Sequence, residues 1–316
     1  MSERELQKLF LRHSRDLDAR QRARIRDLKG LERDLFEALV RKLTDVLDAG
    51  DGVIRTRRGS ASINQLVDEV FRALDRGGLG QFYKSTTSDM FAILGNNDAY
   101  NAILFTEVSK AGNKRYREIR SQVDRIMRGK IGVDDNGRVK PTGLLGKYFR
   151  SEAMRTAVKE ALNAGMVSGK PINKLVRELE VTIKGTRVIP GALQKTLEPL
   201  VFDTYQQFDR ASNDVYAQKI GLDCFIYVGG LIETSRVFCE KHNNKVFTRE
   251  EAEREWPKDS TLPRTSKERA SGVVIGYNAT VDMGRWRCRH RPRFIPRLLA
   301  EEMRPDLPPK PNSTAK

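Results

Sequence analysis

Asp223-Cys224-Phe225-Ile226-Tyr227-Val228 is the stretch on which the fold turns. Up to Ile220 the apolar residues recur every three or four positions, the period of one helix face. From Asp223 they run consecutively, and Gly229-Gly230 closes the run with a turn. A short strand is expected there. The chain should therefore be mainly α, with helical N-terminal and middle regions followed by a small α+β C-terminal module.

Upstream of the strand the helical pattern is dense. Residues 2 to 48 read as helix, with Leu28, Leu31, Leu35, Leu39, Leu43 and Val46 on one face and Gly30 near a bend. His13 is expected on the surface. Asp48-Ala-Gly-Asp-Gly is a turn cluster, with Arg55, Arg57 and Arg58 in the loop that follows. Ser62 and Gln65 form a capping box for a helix stopped at Gly77-Gly78. Further helices are expected from Gln81 to Leu94 and from Asp98 to Met127. Asp134-Asp-Asn-Gly is a hairpin signal, and its acidic residues are read as turn formers. Pro141 to Gly146 reads as a linker. The middle region then has helices ending at Gly165, opening at Pro171, and running from Pro190-Gly191 to Ile220 with a kink or restart at Pro199. The expected division is residues 1–140, 141–222, 223–297 and a Pro-rich tail at 298–316.

Downstream lie the scarce residues. The chain has three cysteines and three histidines. Four of these six fall as tight pairs, Cys239-x-x-His242 and Cys288-x-His290. Two short ligand pairs separated by a loop suit a tetrahedral Zn2+ site with thiolate and imidazole ligands. A Cys239–Cys288 disulfide and inert buried thiols are the alternatives. Cys224 has no partner at ligand spacing and reads as core. Lys245-Val-Phe247 is a second short strand, and Thr248 with Glu251 a second capping box.

The second pair sits inside an alternation. Trp286, Cys288, His290, Pro292 and Phe294 alternate with Arg285, Arg287, Arg289, Arg291 and Arg293. On an extended strand these sets face opposite sides, with like residues roughly 6.6 Å apart. A row of guanidinium groups at that repeat could follow a nucleic-acid backbone through its phosphates. Its alternative is a charged, solvated edge. Pro292 cannot donate to a ladder, so an edge strand or an extended arm is expected.

The bulk numbers agree with a polyanionic neighbour. Lys and Arg total 58 against 42 Asp and Glu, a net charge of +16 over 316 residues. No apolar run reaches membrane-spanning length, and the charged N-terminus is not a signal peptide, so synthesis in the cytosol is expected.

A family enters through these residues. A long helix, a short strand, Thr234-x-Arg236-x-Phe-Cys239, Lys245-Val-Phe and Gly284-x-x-x-Cys288-Arg289-His290 resemble the C-terminal region of the phage head morphogenesis family, the Mu F-like minor head proteins of tailed bacteriophages. The resemblance covers roughly residues 145 to 297. By position its Cys and Cys-Arg-His elements match Cys239, His242, Cys288 and His290, with His where many members have a second Cys. It implies a non-enzymatic minor capsid protein in the head interior near the portal, present in the host cytoplasm during assembly. The implied partners are the portal protein, a major capsid or scaffolding protein, and double-stranded DNA held without sequence preference. Two other classes stay open: an HNH-like metal-dependent nuclease, suggested by Cys-x-x-His-Asn-Asn, and a zinc-dependent nucleic-acid-binding protein of the host.

Overall fold

The computed structural model describes residues 3–48, 55–56, 60–110, 112–132, 140, 143, 152–167 and 171–308. It is mainly helical with a small three-stranded sheet near the C-terminus. The helices before the sheet are α1 (Glu3–Val46), α2 (Ser60–Arg76), α3 (Gly78–Val108), α4 (Asn113–Ile131), α5 (Glu152–Val167), α6 (Ile172–Lys184) and α7 (Ala192–Ile220). Two-residue strands β1 (Leu47–Asp48) and β2 (Arg55–Thr56) pair antiparallel after α1. The hairpin expected around Asp134 and most of the expected linker lie outside the described residues, as does the tail beyond Pro308.

The chain divides into two compact units that interleave along the sequence. One comprises Asp18–Asp89 and Gly129–Phe202. Its core takes the leucine stripe of α1, where Leu28, Leu35 and Leu39 are fully buried, and Val67, Phe71 and Leu74 of α2. Burying each such side chain stabilises the unit by about 1.5–3 kcal/mol. The buried Glu32 carboxylate accepts a hydrogen bond from the Gln194 amide, 2.7 Å away, in the first turn of α7. It satisfies a donor that the helix itself leaves unpaired and matches the positive end of the helix dipole.

The other unit comprises Met1–Leu17, Met90–Arg128 and Asp203–Lys316. Here the chain leaves α7 at Gly221, in the left-handed conformation at φ 88°, and enters β3 (Cys224–Val228). The short helix α8 (Val237–His242), β4 (Val246–Thr248) and α9 (Arg249–Glu255) follow, then a 3-10 turn at Trp256–Lys258. Helices α10 (Ser266–Ser271) and α11 (Ala279–Asp282) lead to β5 (Arg291–Ile295) and α12 (Arg297–Met303). The sheet order is β4-β3-β5, antiparallel throughout. Alternation along β3 separates two cores. Phe225 and Tyr227 join Phe238, Trp256 and Phe294 on one side, and Cys224 and Ile226 join Val246, Ile295 and Ala300 on the other. The expected strand at 223–228 and the Thr248–Glu251 capping box are both present. Pro292 lies on an edge strand, as its missing N–H requires.

Several expected breaks are absent. Helix α1 continues through Gly30 and α5 passes Gly165, while α7 continues through Pro199 without the restart that was one of the two outcomes expected there. Ser62 lies inside α2, which begins at Ser60. The break expected between helices at 81–94 and 98–127 is absent, since α3 runs through it; the chain breaks between Val108 and Asn113 instead, and α4 carries the rest of the second range. Gly95-Asn96-Asn97 looks like a stop, yet Asn97 and Asn101 are buried and turned to account by tertiary contacts. Asn97 Nδ2 donates to the Ser212 hydroxyl at 2.6 Å and to Asp209 Oδ1 at 3.1 Å. Asn101 Nδ2 donates to Asn213 Oδ1 at 2.9 Å, and Asn213 Nδ2 donates to the Pro292 carbonyl of β5 at 2.9 Å. Hydrogen bonds of this kind override weak helix propensity.

His13 belongs to the same network and is buried, contrary to the surface position expected for it. Its Nε2 lies 3.0 Å from Asp209 Oδ1, an ion-pair distance without hydrogen-bond alignment. Burial pushes the Asp209 carboxyl up, but His13, Arg291 and the Asn97 hydrogen bond outweigh it and hold it at about 2, against an ordinary 3.8. A depressed carboxylate stabilises the fold above its unfolded pKa and loses that contribution as pH falls through its folded pKa. The window here runs from about pH 4 down to about pH 2. Asp209→Asn is expected to lower stability by about 2 kcal/mol near neutrality. The difference from the parent should shrink to nearly nothing at about pH 2. Urea denaturation of both proteins across that range checks it, and a pH-independent difference would contradict the assignment.

Candidate metal centre

Three elements of the second unit meet beside Tyr227. Helix α8 presents Phe238, Cys239 and His242 inward at helical spacing. The segment leading into β5 presents Cys288 and His290, two residues apart. Strand β3 supplies the floor through Tyr227, whose ring stacks on His290 with centroids 4.6 Å apart.

Cys239 Sγ and Cys288 Sγ are 4.0 Å apart, and Cys288 Sγ is 3.8 Å from His290 Nδ1. Ligand atoms of Cys239, Cys288 and His290 all lie within 4.8 Å of one another, and all three residues are buried. This buried cluster could hold a metal ion. The cysteines are free thiols, so the disulfide alternative is not realised, the sulfurs standing well beyond the ~2.05 Å of a bond. The Tyr227 hydroxyl touches both sulfurs, at 3.4 Å from Cys239 and 3.5 Å from Cys288. His290 Nε2 is buried without a hydrogen-bond partner. A buried polar atom left so is uncommon and costs stability unless something meets it.

Two glycines let the backbone close over these groups. A Cβ at Gly284 would stand 2.8 Å from Cys239 Sγ and 3.0 Å from Cys288 Sγ. One at Gly229 would stand 2.6 Å from the His290 ring.

His242 is not part of the cluster, contrary to the four-ligand expectation. Its Nδ1 lies 2.7 Å from the carbonyl of Phe238, one turn back in its own short helix, which engages one of its two ring nitrogens. It packs on Phe238 and Trp256, at 4.2 and 5.2 Å between ring centroids. Burial holds it below the ordinary imidazole value, against the opposing pull of the Phe238 carbonyl and Asp259. It is a core histidine.

The arginine row also needs correction. The segment 283–288 is a coiled loop, because Met283, Arg285 and Arg287 all adopt positive φ, at 50°, 65° and 55°. Strict alternation of faces fails there. Arg285 turns inward and makes a two-pronged bond to Glu268, at 2.6 and 3.0 Å. Arg291 and Arg293 are each 6% exposed within β5. Arg291 binds Ser14 at 2.9 Å and lies 3.6 Å from Asp209. Arg289 is exposed, and the Arg287 amide is held by Asp203. The five residues form no common face.

Left-handed conformations cost non-glycine residues about 1–3 kcal/mol each, so the surroundings must over-determine this loop. They do so by claiming its carbonyls. Arg236 donates to the Gly284 carbonyl at 2.8 Å, and the Tyr277 hydroxyl donates to that of Met283 at 2.5 Å. The main clamp is Arg210 of α7, which sequence reading passed over. It donates to the carbonyls of His290 at 2.9 Å, of Val281 at 3.2 Å, and of Cys288. Its only sequence signal was position: it follows Phe208 on a helix whose apolar stripe faces the core.

The charge of Arg210 also reaches the thiols. Burial pushes Cys288 up, but the Cys239 hydrogen bond, Arg210 and the His290 and Tyr227 contacts outweigh it and hold Cys288 well below the usual thiol value. Its partner Cys239 moves the opposite way, raised by its bond to Cys288 and then by burial. The two shifts run in opposite directions and favour the charged form at Cys288 over Cys239, the thiolate being the form that binds metals.

Compared with known proteins, the chain matches no family model, no curated protein and no solved structure.

Proposed function

We propose that Cys239, Cys288 and His290 form a structural zinc site that fixes the C-terminal module of a tailed-phage minor head protein. One observation carries the metal assignment: the spacing of the donor atoms. Zn–S bonds of about 2.3 Å at tetrahedral angles place two sulfurs about 3.8 Å apart, and Zn–N bonds of about 2.0 Å place sulfur and nitrogen about 3.5 Å apart. The separations here are 4.0 and 3.8 Å. Two thiolates and an imidazole favour zinc over the hard, oxygen-seeking cations.

The phage reading rests on the order of motifs, and its support is their convergence. The stretches Thr234–Cys239, Lys245–Phe247 and Gly284–His290 fold around one sheet and one cluster. No helix among the described residues is long and apolar enough to cross a membrane. The portal, a capsid or scaffolding protein, and packaged DNA are the partners this reading names. DNA contact rests on the net charge of +16 and on exposed cations outside β5, such as Lys114, Arg117 and Arg125 of α4. It should be indifferent to sequence and weaken steeply with salt.

Two measurements test the proposal. Elemental analysis of purified protein should find one zinc per chain, abolished in Cys288→Ser. Mass spectrometry of purified virions from a phage carrying the gene should find the chain in heads, and deleting the gene should leave heads unassembled or empty. Normal particle yield after deletion would sink the phage reading and leave the zinc assignment standing.

A further inference from the structure

We propose that the phenolic oxygen of Tyr227 is the fourth ligand of the metal, in the place that the sequence pattern assigned to His242. This rests on the metal reading of the cluster and goes beyond it by completing the coordination shell.

The three-ligand set leaves one corner of a tetrahedron to be filled, and His242 lies outside the cluster with its Nδ1 at the Phe238 carbonyl. Tyr227 Oη stands 3.4 Å from Cys239 Sγ and 3.5 Å from Cys288 Sγ. With Zn–S near 2.3 Å and Zn–O near 2.0 Å, a tetrahedral shell separates sulfur from oxygen by about 3.5 Å. Both edges fit. The two sulfurs and the oxygen form a compact triangle, and Gly284 covers it closely. A Cβ there would lie 2.8, 3.0 and 3.1 Å from the three atoms. A side chain at this position would collide with all three atoms, so the close approach of the backbone needs glycine.

The tyrosine is also held in place for the task. Its ring stacks on His290 and meets Trp256 edge-on at 5.5 Å and Phe238 edge-on at 6.1 Å. In β3 its backbone pairs with Pro292 of the strand that carries His290 at its foot. A hydroxyl has one proton, so it can donate to only one of two sulfurs. Coordination engages both contacts at once: the phenol and thiol protons leave to solvent, and the oxygen and sulfur lone pairs go to the metal.

The test is titration of the full chain with Zn2+ and separately with Co2+, on wild type and Tyr227→Phe. Phenylalanine keeps the ring packing and removes only the oxygen. In wild type, one equivalent of metal should produce the near-ultraviolet difference spectrum of ionised tyrosine together with cobalt–thiolate charge-transfer bands. In the variant the tyrosinate signal should vanish while the thiolate bands remain, and affinity should fall by more than the roughly 10–100-fold typical of losing an outer-shell partner. Thiolate bands without a tyrosinate signal in wild type would overturn the proposal and leave a three-residue site whose fourth position is water. Absence of any stoichiometric binding in wild type would overturn the metal site itself, and Tyr227 with it.

Discussion

Replacing Arg210 with alanine should cost the C-terminal unit about 3–5 kcal/mol, enough to leave it marginal. The side chain is 1% exposed and donates to the carbonyls of Val281, Cys288 and His290, which bracket a loop with three left-handed non-glycine residues. Truncation strands those carbonyls in the interior, at about 1–3 kcal/mol each, and removes the cation that favours the Cys288 thiolate. Arg210→Lys should rescue little, because an ammonium cannot present a planar fork to several acceptors. Chemical denaturation of both variants is the check. A loss below about 1 kcal/mol in the alanine variant would mean that the loop holds itself.

On the proposed zinc site, chelation should have an effect of similar size. At free zinc about a thousandfold above the dissociation constant, binding to the folded state alone adds about 4 kcal/mol. For a unit of about 150–250 residues that is roughly 8–16 °C in melting temperature. Chelation should therefore lower the melting temperature of the parent by this amount and leave a Cys288→Ser variant, already zinc-free, unmoved. Equal shifts in both would place the metal elsewhere. The loss should also be selective, since the unit built on Leu28, Leu35 and Phe71 contains none of the ligands.

The sequence was readable where structure is local. The β3 run, the Thr248 capping box and the leucine stripe of α1 are decided by neighbours within a few residues, and all stand as expected. Reading failed where distant residues decide. Asn97, a weak helix former, is held within α3 with its amide donating to Asp209 and Ser212, residues more than a hundred positions away. Positive φ at Arg285 and Arg287 is imposed by Glu268 and Asp203, and nothing in the arginine spacing announces it. The Cys/His site was three-quarters legible. Residue type and spacing pointed to Cys239, Cys288 and His290, but His242 shares that type and spacing and is diverted by a carbonyl of its own helix. Tyr227, whose hydroxyl touches both sulfurs, escaped notice because a tyrosine in a strand is ordinary core. Alternation with Phe225 could have placed it on the face where the cysteines gather.

The interleaving of the two units sets an order of events on the ribosome. Everything the unit of Asp18–Asp89 and Gly129–Phe202 needs has been synthesised by Phe202. The other unit must wait: His13 awaits Asp209, Tyr100 awaits the Phe294 carbonyl 3.1 Å from its hydroxyl, and Arg210 awaits the loop at 281–290. At roughly 5–20 residues per second, the stretch from Phe202 to Ile295 takes about 5–20 s to translate. During that interval the amino-terminal turns of α1 and the last turns of α3 present apolar surface, including Phe10 and Leu104, with no carboxy-terminal module to cover it. Nascent chains stalled in this window should therefore be the ones that chaperones capture, and release should follow once β5 has emerged and the sheet can close.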